Sequence, residues 1–598
     1  MAHSAAEKSE TFVVVGGVAG GASCAARLRR LNETADIVML ERGPHISFAS
    51  CGLSYYISGE ITERARLLVQ TPERFFKRFR VEVRTRHEVL SIDRSAKNVE
   101  VLDHDAGRTY RQAYDKLLLS PGADPIRPPL PGINSSRVFS LRTIQDADRI
   151  RAFMDERMPR KAVVVGGGFI GLEMAECLHN RGVDVTLVEM ANQVMLNLDP
   201  EMAEFIHQHL RLRGVKLIRG KPVEVFGEGD DGQLLAVIKG GQEIECDLVV
   251  LAIGIRPEIG LARKAGLKLG NAGGILVNEH LQTSDPGIYA VGDAIETEDR
   301  ISGAKRLVPL AGLANRQGRV AADHMSGKPA SFNGAVGTSI VRVFDLTVAS
   351  TGANERTLKT RGIAYEKSYT HPASHAGYYP GATPMVLKTL FSPGSGQLLG
   401  AQIVGVDGVD KRIDVLATAL HGRMSLHDLA ALELAYAPQY GSAKDAVNLA
   451  GYVGDNIVEG DVDVFHADEL DELASRGAYL LDVRTRGEFE RGHIEGAVNM
   501  PIDEIRDRTH ELPAEKPLLV YCLTGVRSYF VCRVLKQLGF RVRNMSGGYV
   551  IYCAANPAKC KAIPGLRRWK RLLALETFCS TPEEKEILER VNEMRQGR

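Results

Sequence analysis

The sequence lacks the features that mark membrane, secreted and nucleic-acid-binding proteins. No run approaches the roughly 18 apolar residues of a membrane span, and the first ten residues contain no apolar signal core. The 75 Lys and Arg residues nearly balance the 74 Asp and Glu residues, and the net charge of +1 gives no general attraction to nucleic acid. We therefore expect a cytoplasmic protein with no membrane span and no nucleic-acid partner.

Cysteine and tryptophan are also scarce. Nine cysteines in 598 residues are an odd number spread thinly, which argues against a secreted disulfide framework. Cys553 and Cys560 lack a second pair of ligands at zinc spacing, so we expect free thiols and no metal site. The only tryptophan, Trp569, lies in a basic-then-acidic tail that predicts helices packed on the preceding domain, with a docking or membrane-surface helix as the alternative.

Two segments of the chain, residues 11–41 and 161–189, have the same form. Each consists of a β-branched strand, a glycine-rich turn, a helix and a second strand that ends in an acidic residue. In a dinucleotide-binding unit of this form, glycines let the backbone approach a pyrophosphate at the positive end of the helix. The chain is thus predicted to bind two nucleotides.

The second segment follows the glycine pattern fully. Gly166, Gly168 and Gly171 fit G-x-G-x-x-G directly after the strand. Glu189 can accept hydrogen bonds from both ribose hydroxyls, and the next three residues offer no cation for a 2′-phosphate. The segment therefore predicts NADH rather than NADPH.

The first segment departs from the pattern, because Val18 stands where the middle glycine is expected. Glycines surround it, Glu41 ends the second strand, and a later strand ends in Gly-Asp at Asp293. In flavoproteins with two dinucleotide sites, such an aspartate lies at the ribityl and phosphate end of the flavin. Asp293 suits that role.

Five segments, VVVGGVAGG, SPGADP, VGGGFIGLE, GIRP and YAVGDA, resemble the pyridine nucleotide-disulfide oxidoreductases, and the resemblance covers residues 10–455. It implies FAD in the first site and NADH in the second, with Phe169 as an aromatic gate over the flavin. The implied FAD contacts are Gly16, Val18, Ala19, Gly20, Glu41, Arg42, Val89, Ser120, Gly122, Asp293 and Ala311. The implied NADH contacts are Gly166, Gly168, Phe169, Ile170, Gly171, Glu173, Glu189 and Gly254.

Cys51 stands in SFASCGLSYYISG, at the start of a predicted helix whose dipole and backbone amides would stabilise a thiolate. Glutathione reductase-like members of the superfamily have a second cysteine nearby, whereas positions 52–56 here are Gly, Leu, Ser, Tyr and Tyr. Cys51 must therefore cycle with an external sulfur or as a sulfenic acid.

The same segment resembles SFANCGLPYY of the coenzyme A disulfide reductases, with Ser50 and Ser54 replacing Asn and Pro. The resemblance implies a mixed disulfide of coenzyme A with Cys51, approached by Tyr378 and Tyr436 from the partner subunit of a homodimer. A phenol there could protonate a leaving thiolate or hydrosulfide, and ordinary interface packing is the alternative. The implied coenzyme A contacts, including cations for its 3′-phosphate-ADP group, are Ala19, Arg27, Arg30, Ser47, Phe48, Ser50, Lys77, Arg78, Asn315 and Arg316. For Lys77 and Arg78, a solvated surface is an equal alternative.

A third candidate site lies near the C-terminus, where Cys522 ends an apolar strand and an amphipathic helix follows. The loop from Cys522 to Arg527 turns backbone amides inward, and such a nest with an arginine stabilises a thiolate or persulfide anion. With LLDVR, GHIEGAVNMP and SGGY, the segment resembles the single-domain rhodaneses, and Asp482 and Arg484 are the implied framework residues. Related phosphatases have a loop longer by one residue, so C-x4-R favours sulfur transfer.

The expected fold class is α/β, with two Rossmann-like dinucleotide-binding domains, an α+β dimerisation domain and a C-terminal α/β rhodanese domain. A length of 598 residues agrees with about three to five domains. The predicted boundaries are 1–120 with 270–330 for FAD, 121–269 for NADH, 331–452 for dimerisation, 453–553 for rhodanese and 554–598 for a helical tail.

Taken together, these resemblances predict an enzyme that reduces coenzyme A disulfide, coenzyme A persulfide or polysulfide at Cys51 with NADH and FAD. Cys522 would supply or transfer sulfane sulfur, and hydrogen sulfide would be released. One alternative is an NADH oxidase or peroxidase with a sulfenic acid cysteine, against which the fused rhodanese segment argues. The other is a redox or sulfide sensor, which no DNA-binding motif or basic tract supports.

Overall fold

Residues 9–230, 232–560 and 562–566 are described by a computed structural model, and they divide into two units. The first unit comprises residues up to 192 together with 215–337, and the second comprises 193–214 together with those from 338 onward. Residues 193–214 therefore group apart from the rest of the predicted NADH range. The predicted helix around Trp569 lies outside the described residues.

The first unit contains two five-stranded parallel sheets of the same design. Apart from the first residue of each, their central strands are apolar and buried, as expected for parallel strands covered on both faces by helices. The strand order of the first sheet is Ile288–Ala290, Lys116–Leu119, Thr11–Val15, Asp36–Glu41 and Glu82–Thr85. The order of the second is Lys216–Arg219, Asp184–Glu189, Lys161–Val165, Leu248–Leu251 and Val138–Ser140. The two predicted Rossmann-like domains are thus confirmed.

Smaller antiparallel sheets and seven described α-helices complete the first unit. The three-stranded sheets are His87–Asp93, Asn98–Asp103 and Arg108–Ala113, and Val223–Glu228, Leu234–Ile238 and Gln242–Cys246. The strand pairs are Ala123–Pro125 with Ile255–Pro257, and Glu296–Glu298 with Lys305–Leu307. The helices are Ala19–Leu31, Leu53–Ser58, Pro72–Phe79, Ile144–Arg157, Phe169–Asn180, Gly260–Lys264 and Ala311–Met325.

The second unit begins with a five-stranded antiparallel sheet and its helices, which is the predicted α+β domain. The strand order is Ser339–Val343, Leu346–Gly352, Leu398–Gly405, Met385–Phe391 and Glu366–Thr370. The helices are Pro200–Leu212, Glu355–Arg361, Val409–Gly422, Leu426–Ala431 and Ala446–Val458.

A five-stranded parallel sheet follows, as predicted for the C-terminal α/β domain. Its order is Val464–Phe465, Val542–Met545, Leu518–Tyr521, Tyr479–Asp482 and Val498–Asn499. Alternate side chains of the central strands enter two different apolar cores, so both faces are covered. The helices are Leu470–Ser475, Arg486–Glu490, Ile505–Arg508, Val526–Gln537 and Gly548–Ala555. In the described part of the chain, no helix is long and apolar enough to cross a membrane.

A buried charge cluster explains why residues 193–214 group with the second unit. The Lys388 ammonium lies 2.7 Å from Asp199 and 2.5 Å from both Glu201 and Glu355, and it is fully buried. Burial alone disfavours the ammonium, but the carboxylates outweigh it and raise the pKa of Lys388 well above its usual value. The three acids have the spacing of a metal site, but each already forms an ion pair with the Lys388 ammonium.

Direct hydrogen bonds join the antiparallel sheet to the C-terminal sheet within the second unit. The backbone N–H of Tyr369 donates to Ser546 Oγ over 3.2 Å, and the Tyr369 hydroxyl donates to Glu201 over 2.8 Å. The ring of His371 bonds the carbonyl of Gly547 at 3.2 Å. The strand Glu366–Thr370 therefore contacts both the charge cluster and the turn that precedes the last described helix.

We predict that Lys388→Met destabilises the protein by about 3–5 kcal/mol, because three buried carboxylates would lose their cation. Lys359→Met is the matched control: its ammonium also contacts Glu355 but is largely exposed, so the expected cost is under about 0.5 kcal/mol. Urea unfolding followed by circular dichroism measures both. Equal losses of stability would contradict the buried cluster.

Candidate redox and sulfur-transfer sites

Both glycine-rich turns need glycine at their first position for a steric reason. Gly16 and Gly166 have φ of +92° and +107°, a region that side chains disfavour. A Cβ atom would lie 2.1 Å from the carbonyl oxygen of Ser120 at Gly16, and 2.3 Å from that of Ala252 at Gly166. The turns therefore press against the neighbouring strand and lead the chain directly into a helix.

The helices that follow, Ala19–Leu31 and Phe169–Asn180, begin with open N-termini. Neither has a side-chain cap, and neither has an acidic residue in its first turn. A Cβ atom added at Gly168 would meet nothing within 4 Å. Free N–H groups at a positive helix end with open space before them fit a pyrophosphate.

Glu41 and Glu189 hold the two turns in the same way. Glu41 accepts from the N–H groups of Gly17 and Gly43, each over 2.8 Å. Glu189 accepts from Gly167 over 2.6 Å and from Ala191 over 2.7 Å. The sequence predicted Glu189 only as a ribose acceptor and Glu41 only as an FAD contact, whereas each carboxylate also ties the glycine turn to the end of the second strand. The remaining lone pairs of each carboxylate can accept hydrogen bonds from ribose hydroxyls.

Most of the predicted FAD contacts lie at the carboxyl edge of the first sheet, where ligands of such sheets bind, whereas Val89 lies in a separate three-stranded sheet. Asp293 follows the strand Ile288–Ala290 in the short turn Gly292–Ala294, and burial raises the pKa of its carboxyl against the opposing charge of Arg142. Gly292 donates to Gln317, which fixes this turn to the helix Ala311–Met325. The other contacts are Gly16, Val18, Ala19 and Gly20 at the first turn, Arg42 after Glu41, Ser120 and Gly122 after the strand Lys116–Leu119, Ala311 at its helix start, and Val89 in the strand His87–Asp93. These positions fit FAD.

The predicted NADH contacts gather in the same manner at the second sheet. Gly166, Gly168, Phe169, Ile170 and Gly171 form the turn and helix start, Glu189 ends its strand, and Gly254 follows the strand Leu248–Leu251. Glu173 lies one turn along the helix from Phe169, as predicted. The residues present therefore also fit a second dinucleotide.

Cys51 is the only exposed cysteine among those described. It lies in the short 3-10 turn Ser50–Gly52, before the six-residue helix Leu53–Ser58. The predicted helix therefore begins two residues later than expected. By contrast, Cys24, Cys177 and Cys246 are buried, and burial raises the pKa of Cys177 to about 12.

Ser54 connects the Cys51 segment to the second glycine helix. Its hydroxyl donates to Glu173 over 3.0 Å, and Cys177 bonds the Ser54 carbonyl at 3.1 Å. Burial raises the pKa of Glu173, although the bond from Ser54 opposes this. Sequence comparison marked Ser54 only as a departure from proline. A proline there would provide no such hydroxyl donor.

The predicted coenzyme A contacts lie on three helices of the first unit and in the segment just before Cys51. Arg27 forms a 2.6 Å ion pair with Asp323, and Asn315 accepts from Ser23 over 2.7 Å, so both already have partners. The cations of Arg30, Lys77, Arg78 and Arg316 are exposed. Ala19 begins the first glycine helix, and Ser47, Phe48 and Ser50 precede Cys51, with Ser47 at a φ of +47°.

Tyr378 and Tyr436, which are 58 positions apart, meet in the second unit with their hydroxyl oxygens 2.7 Å apart. Both side chains are exposed, at 76% and 48%. The hydrogen bond with Tyr378 raises the pKa of Tyr436. The two phenols that the sequence singled out are therefore joined by one hydroxyl–hydroxyl hydrogen bond.

Cys522 is 1% exposed and directly follows the strand Leu518–Tyr521. Its sulfur accepts from the N–H of Gly525 at 3.1 Å and from the hydroxyl of Ser528 at 3.4 Å. The inward amide was predicted, whereas Ser528 was not, because it lies beyond the C-x4-R motif. The loop provides the donors that a sulfur anion needs.

Arg527 lies beside Cys522 and is held in place by Glu488. It forms two bonds to Glu488, of 2.7 and 2.8 Å, and these bonds raise the pKa of Arg527, with a smaller contribution from the nearby Cys522 sulfur. The bond from Arg527, reinforced by Thr485, lowers the pKa of Glu488 to about 2. Thr485 and Glu488 also form the capping box of the helix Arg486–Glu490. Sequence reasoning missed Glu488, although its spacing from Thr485 is a capping signal.

The predicted framework residues Asp482 and Arg484 form a buried ion pair of 2.6 Å. The Arg484 guanidinium lies 4.3 Å from the ring centre of Tyr549, and the N–H of Tyr549 donates to the carbonyl of Cys522 over 2.8 Å. A Cβ atom on Gly548 would lie 2.6 Å from the same carbonyl. The start of the helix Gly548–Ala555 therefore supports the loop from behind.

Residues 10–318 match the family described as pyridine nucleotide-disulphide oxidoreductase. The chain belongs to this family. Residues 338–447 match the dimerisation domain of these oxidoreductases, and residues 466–555 match the rhodanese-like domain, so both predicted resemblances are confirmed. Membership in the pyridine nucleotide-disulphide oxidoreductases implies FAD and NAD(H) as cofactors.

Two solved structures resemble the chain over nearly its whole length. Reduced Bacillus anthracis CoADR-RHD is 49% identical and covers 92% of this chain and 99% of its own, with a TM-score of 0.91. An NAD-dependent persulfide reductase from A. fulgidus is 39% identical and covers 91% and 100%, with a TM-score of 0.84.

Two curated relatives match the oxidoreductase part. The coenzyme A disulfide reductase of Staphylococcus epidermidis is 36% identical over 442 residues, 74% of this chain and 99% of that protein. The NADH oxidase of Methanocaldococcus jannaschii is 35% identical over 440 residues, 73% and 97%.

We predict that Glu189→Gln raises the ratio of kcat/KM for NADPH to that for NADH. The loss of one charge-assisted hydrogen bond, about 1.5 kcal/mol, corresponds to about tenfold. Asp184→Asn, at the exposed start of the same strand, is the control and should leave the ratio unchanged. An unaltered ratio in Glu189→Gln would contradict the ribose role.

We predict that Glu488→Gln slows sulfur transfer from glutathione persulfide to cyanide about ten- to a hundredfold, because Arg527 loses its position. Glu490→Gln alters an exposed acid of the same helix and should change the rate less than about twofold, as surface substitutions usually do. The rates are measured with the full-length protein. Equal rates for both variants would show that the ion pair does not position the arginine.

Proposed function

We propose that this oxidoreductase uses NADH to reduce the sulfur–sulfur bond of coenzyme A disulfide, coenzyme A persulfide or polysulfide at Cys51. We also propose that Cys522 carries the sulfane sulfur. The observation that carries the proposal is the pairing of two different cysteine sites in one chain. Cys51 is exposed, whereas Cys522 is buried and accepts from two donors that suit a sulfur anion, with the Arg527 cation close by.

The second sulfur at Cys51 comes from a small molecule in this proposal. Positions 52–56 hold no cysteine, and the other described cysteines are buried. Coenzyme A is the favoured molecule because the Cys51 segment resembles that of coenzyme A disulfide reductases. Among the described residues, the exposed cations of Arg30, Lys77, Arg78 and Arg316 would pair with its phosphates.

The chain positions both cofactors through its backbone. Glu41 and Glu189 fix the glycine turns, whose free N–H groups would hold the two pyrophosphates. FAD, when bound, supplies the two-electron path between nicotinamide and thiol. Phe169 is proposed to cover the flavin side of the nicotinamide site, and Glu173 and Ser54 to fix the Cys51 segment against the second glycine helix.

The sulfur steps balance without any other oxidant. Cys522 thiolate takes the outer sulfur of a persulfide R–S–SH, which leaves R–SH, and passes this sulfur to the thiol of coenzyme A. Cys51 thiolate then attacks the inner sulfur of coenzyme A persulfide, which expels hydrosulfide and forms the mixed disulfide. Two electrons from NADH return this disulfide to two thiols.

The phenols of Tyr378 and Tyr436 are proposed to supply the proton for the leaving sulfur, from the partner subunit of a homodimer. Their shared hydrogen bond leaves one phenol proton for donation. The matched dimerisation domain supports the homodimer. We place the protein in the cytoplasm, where thiols are kept reduced.

An NADH oxidase or peroxidase is the second candidate. The relative of that name and the exposed Cys51 favour it, because an exposed single thiolate suits a sulfenic acid cycle. The ordered loop around Cys522 has no role in such a reaction.

We predict that Cys51→Ser lowers NADH-dependent reduction of coenzyme A disulfide and of polysulfide more than about a thousandfold, as loss of a nucleophile does. Cys522→Ser should slow polysulfide reduction several-fold and leave coenzyme A disulfide reduction unchanged. Cys24→Ala, a buried cysteine, is the control. Unchanged polysulfide turnover in Cys522→Ser would exclude the coupled cycle.

Mass spectrometry of the protein purified without reductant separates the two candidates. We expect an adduct of coenzyme A mass on Cys51. A sulfenic acid on Cys51, with oxygen or peroxide turnover far above disulfide and persulfide turnover, would reverse the assignment.

A further inference from the structure

Cys553 and Cys560 form a close contact that the sulfur cycle described above does not use. Cys553 lies on the helix Gly548–Ala555, and the chain then reverses so that the N–H of Cys560 bonds the carbonyl of Asn556. The Cys553 thiol donates to the Cys560 sulfur across 2.7 Å. The sequence predicted two free thiols seven positions apart, whereas the fold places their sulfur atoms side by side.

A shared metal ion does not explain this contact. Two cysteines on one tetrahedral zinc hold their sulfurs about 3.8 Å apart, given zinc–sulfur bonds of about 2.3 Å. Among the described residues, only one cluster of three or more His, Cys, Asp or Glu side chains has the spacing to hold a metal ion. It consists of Asp199, Glu201 and Glu355. The remaining chemistry of two adjacent thiols is oxidation to a disulfide.

The two thiols differ in a way that assigns their roles. The Cys560 sulfur accepts a bond from the Cys553 thiol, and this bond lowers the pKa of Cys560. The pKa of Cys553 is raised by the same bond and by burial. Cys560 is 8% exposed and Cys553 only 1%. Cys560 therefore suits the attacking thiolate, and Cys553 the thiol that resolves it.

We propose that Cys553 and Cys560 are a second redox site, a dithiol that a persulfide or polysulfide oxidises to an internal disulfide. Cys560 takes the outer sulfur of R–S–SH, which yields R–SH and a Cys560 persulfide. Cys553 then attacks the inner sulfur, which forms the Cys553–Cys560 disulfide and releases H₂S. The sulfane sulfur gains the two electrons that the two thiols lose, so no cofactor takes part.

The site acts on the same class of sulfur compound as Cys522 and rests on the proposed function only in this choice of oxidant. Two molecules of a small thiol reset the dithiol and leave as their own disulfide, which is the class of substrate proposed for Cys51. The helix that carries Cys553 also supports the Cys522 loop, through the N–H groups of Tyr549 and Val550. A change at the dithiol thus occurs directly behind the sulfur-transfer loop.

Thiol mapping of the full-length protein tests the site without NADH. The reduced protein is treated with sodium tetrasulfide or glutathione persulfide, alkylated under denaturing conditions and digested with trypsin. Cleavage after Arg543, Lys559 and Lys561 puts the two cysteines on separate peptides, 544–559 and 560–561. We expect these peptides joined by a disulfide, together with one equivalent of released H₂S, and we expect dithiothreitol to separate them. Both cysteines recovered as alkylated thiols would overturn the proposal.

Single variants test the assigned order. Cys553→Ser should leave a persulfide on Cys560 that iodoacetamide traps, whereas Cys560→Ser should leave Cys553 unmodified. Cys532→Ala, a buried cysteine of the same domain, should still form the disulfide. A persulfide on Cys553 in Cys560→Ser, or a disulfide between Cys553 and Cys522 in the unaltered chain, would also overturn it.

NADH consumption with coenzyme A disulfide is measured on the same samples. If NADH is consumed normally but no peptide disulfide forms, the dithiol proposal is refuted and the proposed reductase function stands. If the peptide disulfide forms but NADH is not consumed, the proposed reductase function is refuted and the dithiol proposal stands.

Discussion

Backbone N–H groups that the chain leaves free of its own carbonyls lie at three candidate sites of this protein. Helices begin directly after a strand, without a side-chain cap, at both dinucleotide turns. The same arrangement recurs at Cys522, where the N–H of Gly525 points at the sulfur. Each of the three thus presents a helix start that suits an anion, a pyrophosphate in the first two cases and a sulfur anion in the third. The same electrostatic arrangement thus suits both dinucleotide binding and sulfur transfer.

The acids around these sites hold the donors in place. Glu41 and Glu189 each bond two amides on either side of a turn, and Glu488 bonds both a helix start and Arg527. A carboxylate in such a position accepts from backbone N–H groups and so fixes the conformation of the turn. The charge of Glu488 also balances the cation beside Cys522, which keeps the arginine fixed at the rim of the loop.

The sequence was sufficient for sites built from neighbouring residues. The glycine turns and the Cys522 loop lie within short segments, so their spacing alone predicts the path of the local backbone, and the predicted fold class is confirmed. The contacts that were missed join distant positions: Ser54 to Glu173, Arg527 to Glu488, and Lys388 to Glu201, which are 187 positions apart. No local pattern marks such partners. The contact of Cys553 with Cys560 was missed for another reason, because the reversal at Asn556 depends on how the last helix ends.

The charge cluster around Lys388 also constrains where the chain can be divided. The domain boundary suggested by the family matches falls near residue 338, yet Asp199 and Glu201 precede it by more than a hundred positions. A fragment that starts at this boundary would keep Lys388 and Glu355 but lose two of the three carboxylates and the helix Pro200–Leu212. The dimerisation and rhodanese-like parts therefore cannot be expressed intact as one contiguous fragment that starts near residue 338. An expression fragment of them must also include residues 193–214, fused to it as a separate segment.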